Sequence, residues 1–215
     1  MLGIDELYKE LKSSNFLVDI DSRKIRKGSV FFAIKGDNFN GNEFIGDALK
    51  NGSRLAISDE ENPNLNDNHN VIKVSNSLST LQELSKFHRK KCNAKVIGIT
   101  GSNGKTTTKE LIYSVLSSNF KTICTPGNFN NHIGLPLSLF EIRYDTEFAV
   151  IEMGANNFGE IAFLTSLCEP DYGYITNFGK AHLEGFINID GVIKAKTELY
   201  KWIIKNDKTL LINGE

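Results

Sequence analysis

Residues 98 to 108, Gly-Ile-Thr-Gly-Ser-Asn-Gly-Lys-Thr-Thr-Thr, carry the clearest chemical pattern in the chain. They follow the apolar pair Val96-Ile97 and precede a helical pattern, which is the arrangement of a phosphate cradle. Glycines let successive backbone N–H groups turn toward an anion, Lys105 adds a mobile positive charge, and the Thr106 hydroxyl suits a divalent cation. The spacing departs from the strict G-x-x-x-x-G-K-[ST] template, whose first glycine would fall at Ile99. The core Gly101-Ser102-Asn103-Gly104-Lys105-Thr106, followed by Thr107, is intact. A mere turn between strand and helix has no need of Gly-Lys-Thr at the helix start.

Two further residues have suitable chemistry. Glu152 follows the apolar run Phe148 to Ile151 and precedes Met153-Gly154, so it reads either as a metal ligand at a strand end or as a helix cap. Magnesium beside nucleotide phosphates takes one or two carboxylates plus water. His182, in Asn177-Phe178-Gly179-Lys180-Ala181-His182, lies on a strand-to-loop rim, where an exposed imidazole and a ligand are equally good readings. An amide-rich loop, Asn128, Asn130, Asn131 and His132, is closed by Gly134 and Pro136. The chain uses asparagine freely, so that richness alone proves little.

These groups need a scaffold, and the periodicity supplies one. Ile4, Leu7, Tyr8 and Leu11 mark an amphipathic first helix; Ser29 to Ile34, Leu55 to Ile57 and Val71 to Val74 read as strands, with a short helix over Phe44 to Lys50. Together they predict a small α/β unit. The polar segment Asp59 to Asn70 reads as a surface loop. Leu78, Leu81, Leu84, Ser85 and His88 trace a helix face, and His88, among Lys86, Arg89, Lys90 and Lys91, is expected at a solvated helix end. Strand Val96 to Ile99, the loop and helix Lys105 to Leu116 then open a doubly wound α/β domain. Further strands are expected at Lys121 to Cys124, Phe148 to Ile151, Tyr172 to Thr176 and Thr209 to Ile212. Ligands of such sheets gather at the strands' carboxyl ends, which is where Thr100 onward, Thr125 onward, Glu152 and Asn177 to His182 fall.

Composition narrows the class. A formal charge of −1 over 215 residues leaves no electrostatic footprint for nucleic acid. Cys92, Cys124 and Cys168 lack C-x-x-C spacing and read as reduced thiols, which predicts a cytoplasmic setting. No apolar run reaches the length of a membrane span, and the N-terminus opens a helix in place of a signal sequence.

Taken together, Thr100 to Thr107, Gly127-Asn128-Phe129-Asn130-Asn131-His132-Ile133-Gly134-Leu135-Pro136, Glu152-Met153-Gly154 and Ala181-His182-Leu183-Glu184 through Ala195-Lys196 resemble the Mur ligases of peptidoglycan synthesis. Asp21-Ser22-Arg23, Gly28 to Gly36 and Asn40-Gly41-Asn42-Glu43-Phe44 resemble the family's nucleotide-sugar domain. The resemblance covers nearly the whole chain. It implies residues 1–90 as an N-terminal domain binding the UDP precursor and residues 91–215 as the incomplete central ATP-binding domain, truncated at Glu215. The implied reaction is ATP-dependent amide synthesis: the terminal carboxylate of UDP-N-acetylmuramoyl-tripeptide is phosphorylated, and the amine of D-alanyl-D-alanine attacks the acyl phosphate. A monomer is expected, with no membrane and no nucleic acid partner.

Roles carried over with the resemblance are specific. Gly101, Ser102, Asn103, Gly104, Lys105, Thr106 and Thr107 bind ATP; Asn128 and Asn131 line the nucleotide or acyl-phosphate site. Thr106 and Glu152 hold one Mg²⁺, and His182 helps to hold a second. Ser22, Arg23, Lys35 and Gly36 contact the UDP portion, although Arg23 also suits a surface ion pair. Lys196 corresponds to a carbamylated lysine. An ammonium about 4 Å from a divalent ion at an effective dielectric near 20 is repelled by roughly 8 kcal/mol. Deprotonating it at neutral pH costs only about 5 kcal/mol, and CO₂ addition then creates an anion that attracts the metal. Lys194 faces another side of its helix and stays ordinary. The chain departs from the family at Asn42, where a histidine is frequent, and at Ile187-Asn188, where a Gly-Ser pair is frequent. The expectation is that this length alone turns over little substrate. Competing readings are another Mur ligase, a folylpolyglutamate synthase-like ligase, a noncatalytic UDP-sugar or nucleotide module, and a generic P-loop switch.

Overall fold

The computed structural model describes residues 2–61, 68–179, 186 and 188–214, and these form two compact units, one up to Ser85 and one from Lys86. In the first, helix α1 (Ile4–Ser13) buries Leu7, Tyr8 and Leu11, and strands β1 (Val18–Asp19), β2 (Val30–Phe32), β3 (Leu55–Ser58) and β4 (Val71–Lys73) pair in that order, all parallel. A parallel strand is covered on both faces, which is why β2 and β3 are wholly buried and apolar except for Ser58 at the end of β3. Phe31, Ala33 and Ala56 pack on Ile45 and Ala48 of helix α2 (Ile45–Lys50). The expected helix over Phe44 to Lys50 is preceded by a separate 3₁₀ turn, Gly41–Phe44, which Asn40 caps by accepting from the Asn42 N–H.

Helix α3 (Ser77–Lys91) begins in the first unit and its last turns belong to the second. That unit is a parallel sheet in the order β6-β7-β5-β8-β9, built from β5 (Lys95–Thr100), β6 (Thr122–Cys124), β7 (Phe148–Glu152), β8 (Tyr172–Ile175) and β9 (Thr209–Leu211). The helices are α4 (Lys105–Leu116), α5 (Gly134–Phe140), α6 (Glu160–Cys168), α7 (Ile189–Lys196) and α8 (Glu198–Lys205). From β5 the chain runs outward to β6, returns through β7 and then crosses to β8 on the other side of β5. The carboxyl ends of β5, β7 and β8 therefore flank a topological switch point, where a doubly wound sheet opens a crevice. Among the described residues, no helix is long and apolar enough to cross a membrane.

His88 departs from the sequence expectation. It is fully buried, its Nε2 lies 2.8 Å from the Ile142 carbonyl, and Cys92 Sγ is 3.5 Å away. Burial first, with the nearby Arg143 charge adding to it against the Ile142 hydrogen bond, pushes its pKa down from 6.5 to about 4. The basic neighbours do not report its environment, because a helix turns 100° per residue and His88 shares the inward face of Leu81 and Leu84.

Candidate functional site

The phosphate loop joins β5 to α4. Gly101 has φ +144°, and a Cβ there would collide with Thr176 Oγ1; Gly104, at φ +74°, is the left-handed residue that opens α4. Both positions require glycine, so the backbone N–H groups that follow can face outward at the helix N-terminus.

Each predicted loop residue has a definite place. Lys105 Nζ folds back onto the carbonyls of Gly101 and Ser102, at 3.0 and 3.2 Å, and burial lowers its pKa against the opposing pull of Glu152. Thr106 Oγ1 donates to Glu152 Oε2 at 2.9 Å. Glu152 ends β7, is 1% exposed, and takes a second bond on Oε1 from Asn130 Nδ2 at 2.8 Å. Its own N–H donates to Thr125 Oγ1 at 2.9 Å. Thr107 is exposed in the first turn of α4. Ser102 donates its hydroxyl to the Gly179 carbonyl and its N–H to the Asn177 carbonyl.

Asn103 differs from a simple phosphate donor. Its N–H is taken by Asn177 Oδ1 at 3.1 Å, and its carbonyl accepts from Asn177 Nδ2 and Thr176 Oγ1. Asn177 thus holds the crest of the loop. The strand-end rule marked this position for inspection, but it does not predict the pairing.

A cleft of about 410 Å³ opens beside the loop, with Lys105, Asn128, Asn130, Asn131, His132, Ala155 and Glu160 among its lining residues. Asn131 also builds its own loop, accepting from the N–H groups of Ile133 and Gly134 at the start of α5. Asn130, for which the sequence pattern implies no role, is the amide that reaches Glu152. Neighbouring side chains along a loop point in different directions, and composition does not say which one faces in.

Lys196 ends α7 with 1% exposure, its Nζ 3.4 Å from the Ala155 carbonyl and 5.5 Å from the Phe186 ring centroid. Burial above all, then the charge of Lys105, lowers its pKa to about 8, with Glu160 and Glu198 opposing. Glu198 fixes this corner by accepting from the Gly159 and Ala162 N–H groups at the start of α6. Lys194, by contrast, is exposed. The structure therefore brings together the loop, Thr106, Glu152, the asparagine loop and Lys196. His182 lies outside the described residues. Among the described residues no group of three or more His, Cys, Asp or Glu side chains is placed to hold a metal.

In the first unit, Ser22 and Arg23 follow the carboxyl end of β1, and Lys35 and Gly36 follow that of its neighbour β2. Arg23 makes a two-point pair with Asp21, at 2.8 and 2.9 Å, while 84% of its side chain stays exposed. That pair holds the Asp21 carboxyl down at about 2. Lys35 pairs with Glu60 at 2.7 Å. Buried Asn42 is engaged internally: its Nδ2 donates to Asn40 and Asp59, and its Oδ1 accepts from Ser58. In this chain Asn42 ties the ends of the loops together.

The chain is similar to known proteins. Residues 99–215 match the family model of the Mur ligase middle domain, and residues 17–89 that of the Mur ligase family catalytic domain. The UDP-N-acetylmuramoyl-tripeptide--D-alanyl-D-alanine ligase of Bacillus subtilis (strain 168) is 40% identical over 92% of this chain and 43% of that protein. The ligase of the same name from Escherichia coli (strain K12) is 36% identical over 94% of this chain and 45% of its own length. A crystal structure of MurF from Acinetobacter baumannii superposes with a TM-score of 0.81 at 33% identity, covering 90% of this chain and 46% of that one. The MurF ligase from Thermotoga maritima in complex with ADP gives 0.77 at 36% identity, covering 86% and 43%. The chain spans less than half the length of the curated relatives it matches. With the middle-domain model matched over more than half of its residues, on a phosphate loop that faces a buried strand-end carboxylate, the chain belongs to the Mur ligase family.

Proposed function

We propose that the chain forms the precursor-binding and nucleotide-binding part of an ATP-dependent ligase that adds D-alanyl-D-alanine to UDP-N-acetylmuramoyl-tripeptide. The observation that carries this reading is the 2.9 Å bond from Thr106 at the phosphate loop to buried Glu152, beside a cleft whose Ala155 wall touches Lys196. The names of the relatives support the substrates, and the ADP complex of one relative supports ATP as the energy source.

A carboxylate is a poor electrophile, so amide formation needs its oxygen converted into a leaving group. Phosphoryl transfer does this, and it is mostly positioning and charge neutralisation. Gly101 to Thr107 would cradle the ATP phosphates, with Lys105 leaving the Gly101 and Ser102 carbonyls for a phosphate oxygen. The donor set fits Mg²⁺: Glu152 is a buried carboxylate whose two oxygens are held by the neutral groups of Thr106 and Asn130, which leaves its charge for a hard cation. Thr106, Glu152, carbamylated Lys196 and His182 are the proposed ligands. Bound there, Mg²⁺ would neutralise the charge that develops on the transferring phosphate. Asn128 and Asn131 would line the space for the nucleotide or the activated carboxyl group.

Lys196 is a suitable site for a carbamate because its pKa near 8 keeps a substantial share of neutral amine at physiological pH. Exposed Arg23 and Lys35, with Ser22 and Gly36 at the ends of adjacent strands, would receive the UDP portion; a guanidinium fork suits a diphosphate. The three free thiols suit a reducing, cytoplasmic setting. The test is phosphate release by the full-length protein supplied with ATP, alternative UDP-muramyl tripeptides and D-alanyl-D-alanine. Release that requires all three substrates is expected. ATP hydrolysis indifferent to the muramyl peptide would reduce the chain to a nucleotide module.

A further inference from the structure

Among the described residues, Lys109 is the most deeply buried cation that the reaction above does not use. Its side chain is 0% exposed, yet it sits on helix α4 one turn after Thr106. An ammonium in such a place is costly unless it is well bonded. Lys109 Nζ donates to the Thr125 carbonyl at 2.7 Å and pairs with Glu110 Oε1 at 2.8 Å. Only Glu110 is exposed; the Thr125 bond is internal and links α4 to the carboxyl end of β6.

Thr125 is also the residue that holds Glu152. Its hydroxyl accepts the Glu152 N–H at 2.9 Å, and its own N–H donates to the Val150 carbonyl at 3.0 Å. The contacts close into a ring: Thr106 of α4 to the Glu152 carboxylate, the Glu152 N–H to the Thr125 hydroxyl, and the Thr125 carbonyl back to Lys109 of α4. A helix free to slide along the sheet would carry Thr106 away from Glu152. The Lys109 contact pins the helix to the same strand ends that carry the carboxylate.

We propose that Lys109 is a positioning residue of the cation site, holding Thr106 and Glu152 at a fixed separation through Thr125. It touches neither nucleotide nor metal. The inference rests on the reading of Thr106 and Glu152 as ligands of the magnesium that accompanies ATP.

The test compares the wild-type chain with Lys109→Met, which keeps the volume and removes the ammonium, with Thr125→Val, which removes only the hydroxyl, and with the double variant. ATP binding is titrated with Mg²⁺ and with EDTA, and exchange of the Glu152 amide proton is followed by NMR. Magnesium is expected to tighten ATP binding to the wild type. Lys109→Met should lose at least tenfold of that gain, keep metal-free ATP binding within threefold, and exchange the Glu152 amide at least tenfold faster. Thr125→Val should shift both readouts the same way, and the double variant should be no worse than the stronger single one, because the ring breaks only once. A merely structural lysine would lower the unfolding midpoint and leave the magnesium gain intact. If Lys109→Met does not fold, an unchanged magnesium gain in Thr125→Val overturns the proposal. A gain abolished by Glu152→Gln but intact in folded Lys109→Met sinks this inference alone, whereas a wild type indifferent to magnesium sinks the reading beneath it as well.

Discussion

Replacing His88 with glutamine removes a group that prefers its proton in the unfolded chain. The folded pKa of about 4 lies below the ordinary 6.5, so the stability His88 confers is complete above pH 6.5 and is lost as pH falls toward 4. Between pH 7.5 and 5.5 the folded imidazole stays neutral while the unfolded one protonates, which destabilises the unit by about 1.3 kcal/mol; the full drop to pH 4 and below approaches about 3 kcal/mol. The assay is urea unfolding followed by fluorescence. Trp202 is the sole tryptophan of the chain and packs against the core of the second unit, so its emission reports the unit that contains His88. The wild type should lose about 1.3 kcal/mol between the two pH values, and His88→Gln should lose less than about 0.4 kcal/mol. Equal losses in both proteins would refute the burial argument, as would a wild type whose stability does not change over this range.

Other outcomes follow from the site. Gly101→Ala forces a side chain onto Thr176 Oγ1 at φ +144° and should weaken ATP binding at least tenfold, with a stability loss of about 1–3 kcal/mol measurable by the same fluorescence. Lys196→Met should raise the stability of the second unit by about 1–3 kcal/mol at pH 7, since an amine whose pKa falls from 10.5 to about 8 disfavours folding while charged. The same variant should abolish ligation by the full-length protein, and a destabilised yet active Lys196→Met would contradict both assignments. Arg23→Gln should weaken binding of the UDP-muramyl tripeptide at least tenfold by calorimetry, without moving the urea midpoint, because the Asp21 pair is solvent-exposed and such pairs add little.

Much of the scaffold was legible because its signals are local. Helix Lys105 to Leu116 follows from the helical pattern after the glycine loop, and its bounds agree with those of α4. The inner strands β2, β5 and β7 stand out as apolar runs because the middle of a parallel sheet is buried on both faces. Their ends differ by a residue or two: Thr176, at the expected end of β8, instead turns its hydroxyl to the Asn103 carbonyl. The 3₁₀ turn at Gly41–Phe44 depends on an asparagine cap that no hydrophobic period signals. At the site, residue types were readable and partners were not. Asn130 bonds to Glu152 while adjacent Asn131 bonds to its own loop, a choice set by backbone direction. Buried His88 and Lys109 are bonded to the carbonyl groups of Ile142 and Thr125, 54 and 16 residues away, and such acceptors are visible only once the chain is folded.

The central claim is that ATP activates a carboxyl oxygen at this phosphate loop. Its most direct test uses UDP-N-acetylmuramoyl-tripeptide carrying ¹⁸O in the terminal carboxylate, incubated with the full-length protein, ATP and D-alanyl-D-alanine, with the released phosphate read by mass spectrometry. If the carboxylate attacks the γ-phosphorus and the amine then expels phosphate, one carboxylate oxygen leaves with that phosphate. One ¹⁸O per phosphate is the predicted result; unlabelled phosphate accompanying amide formation would contradict the account.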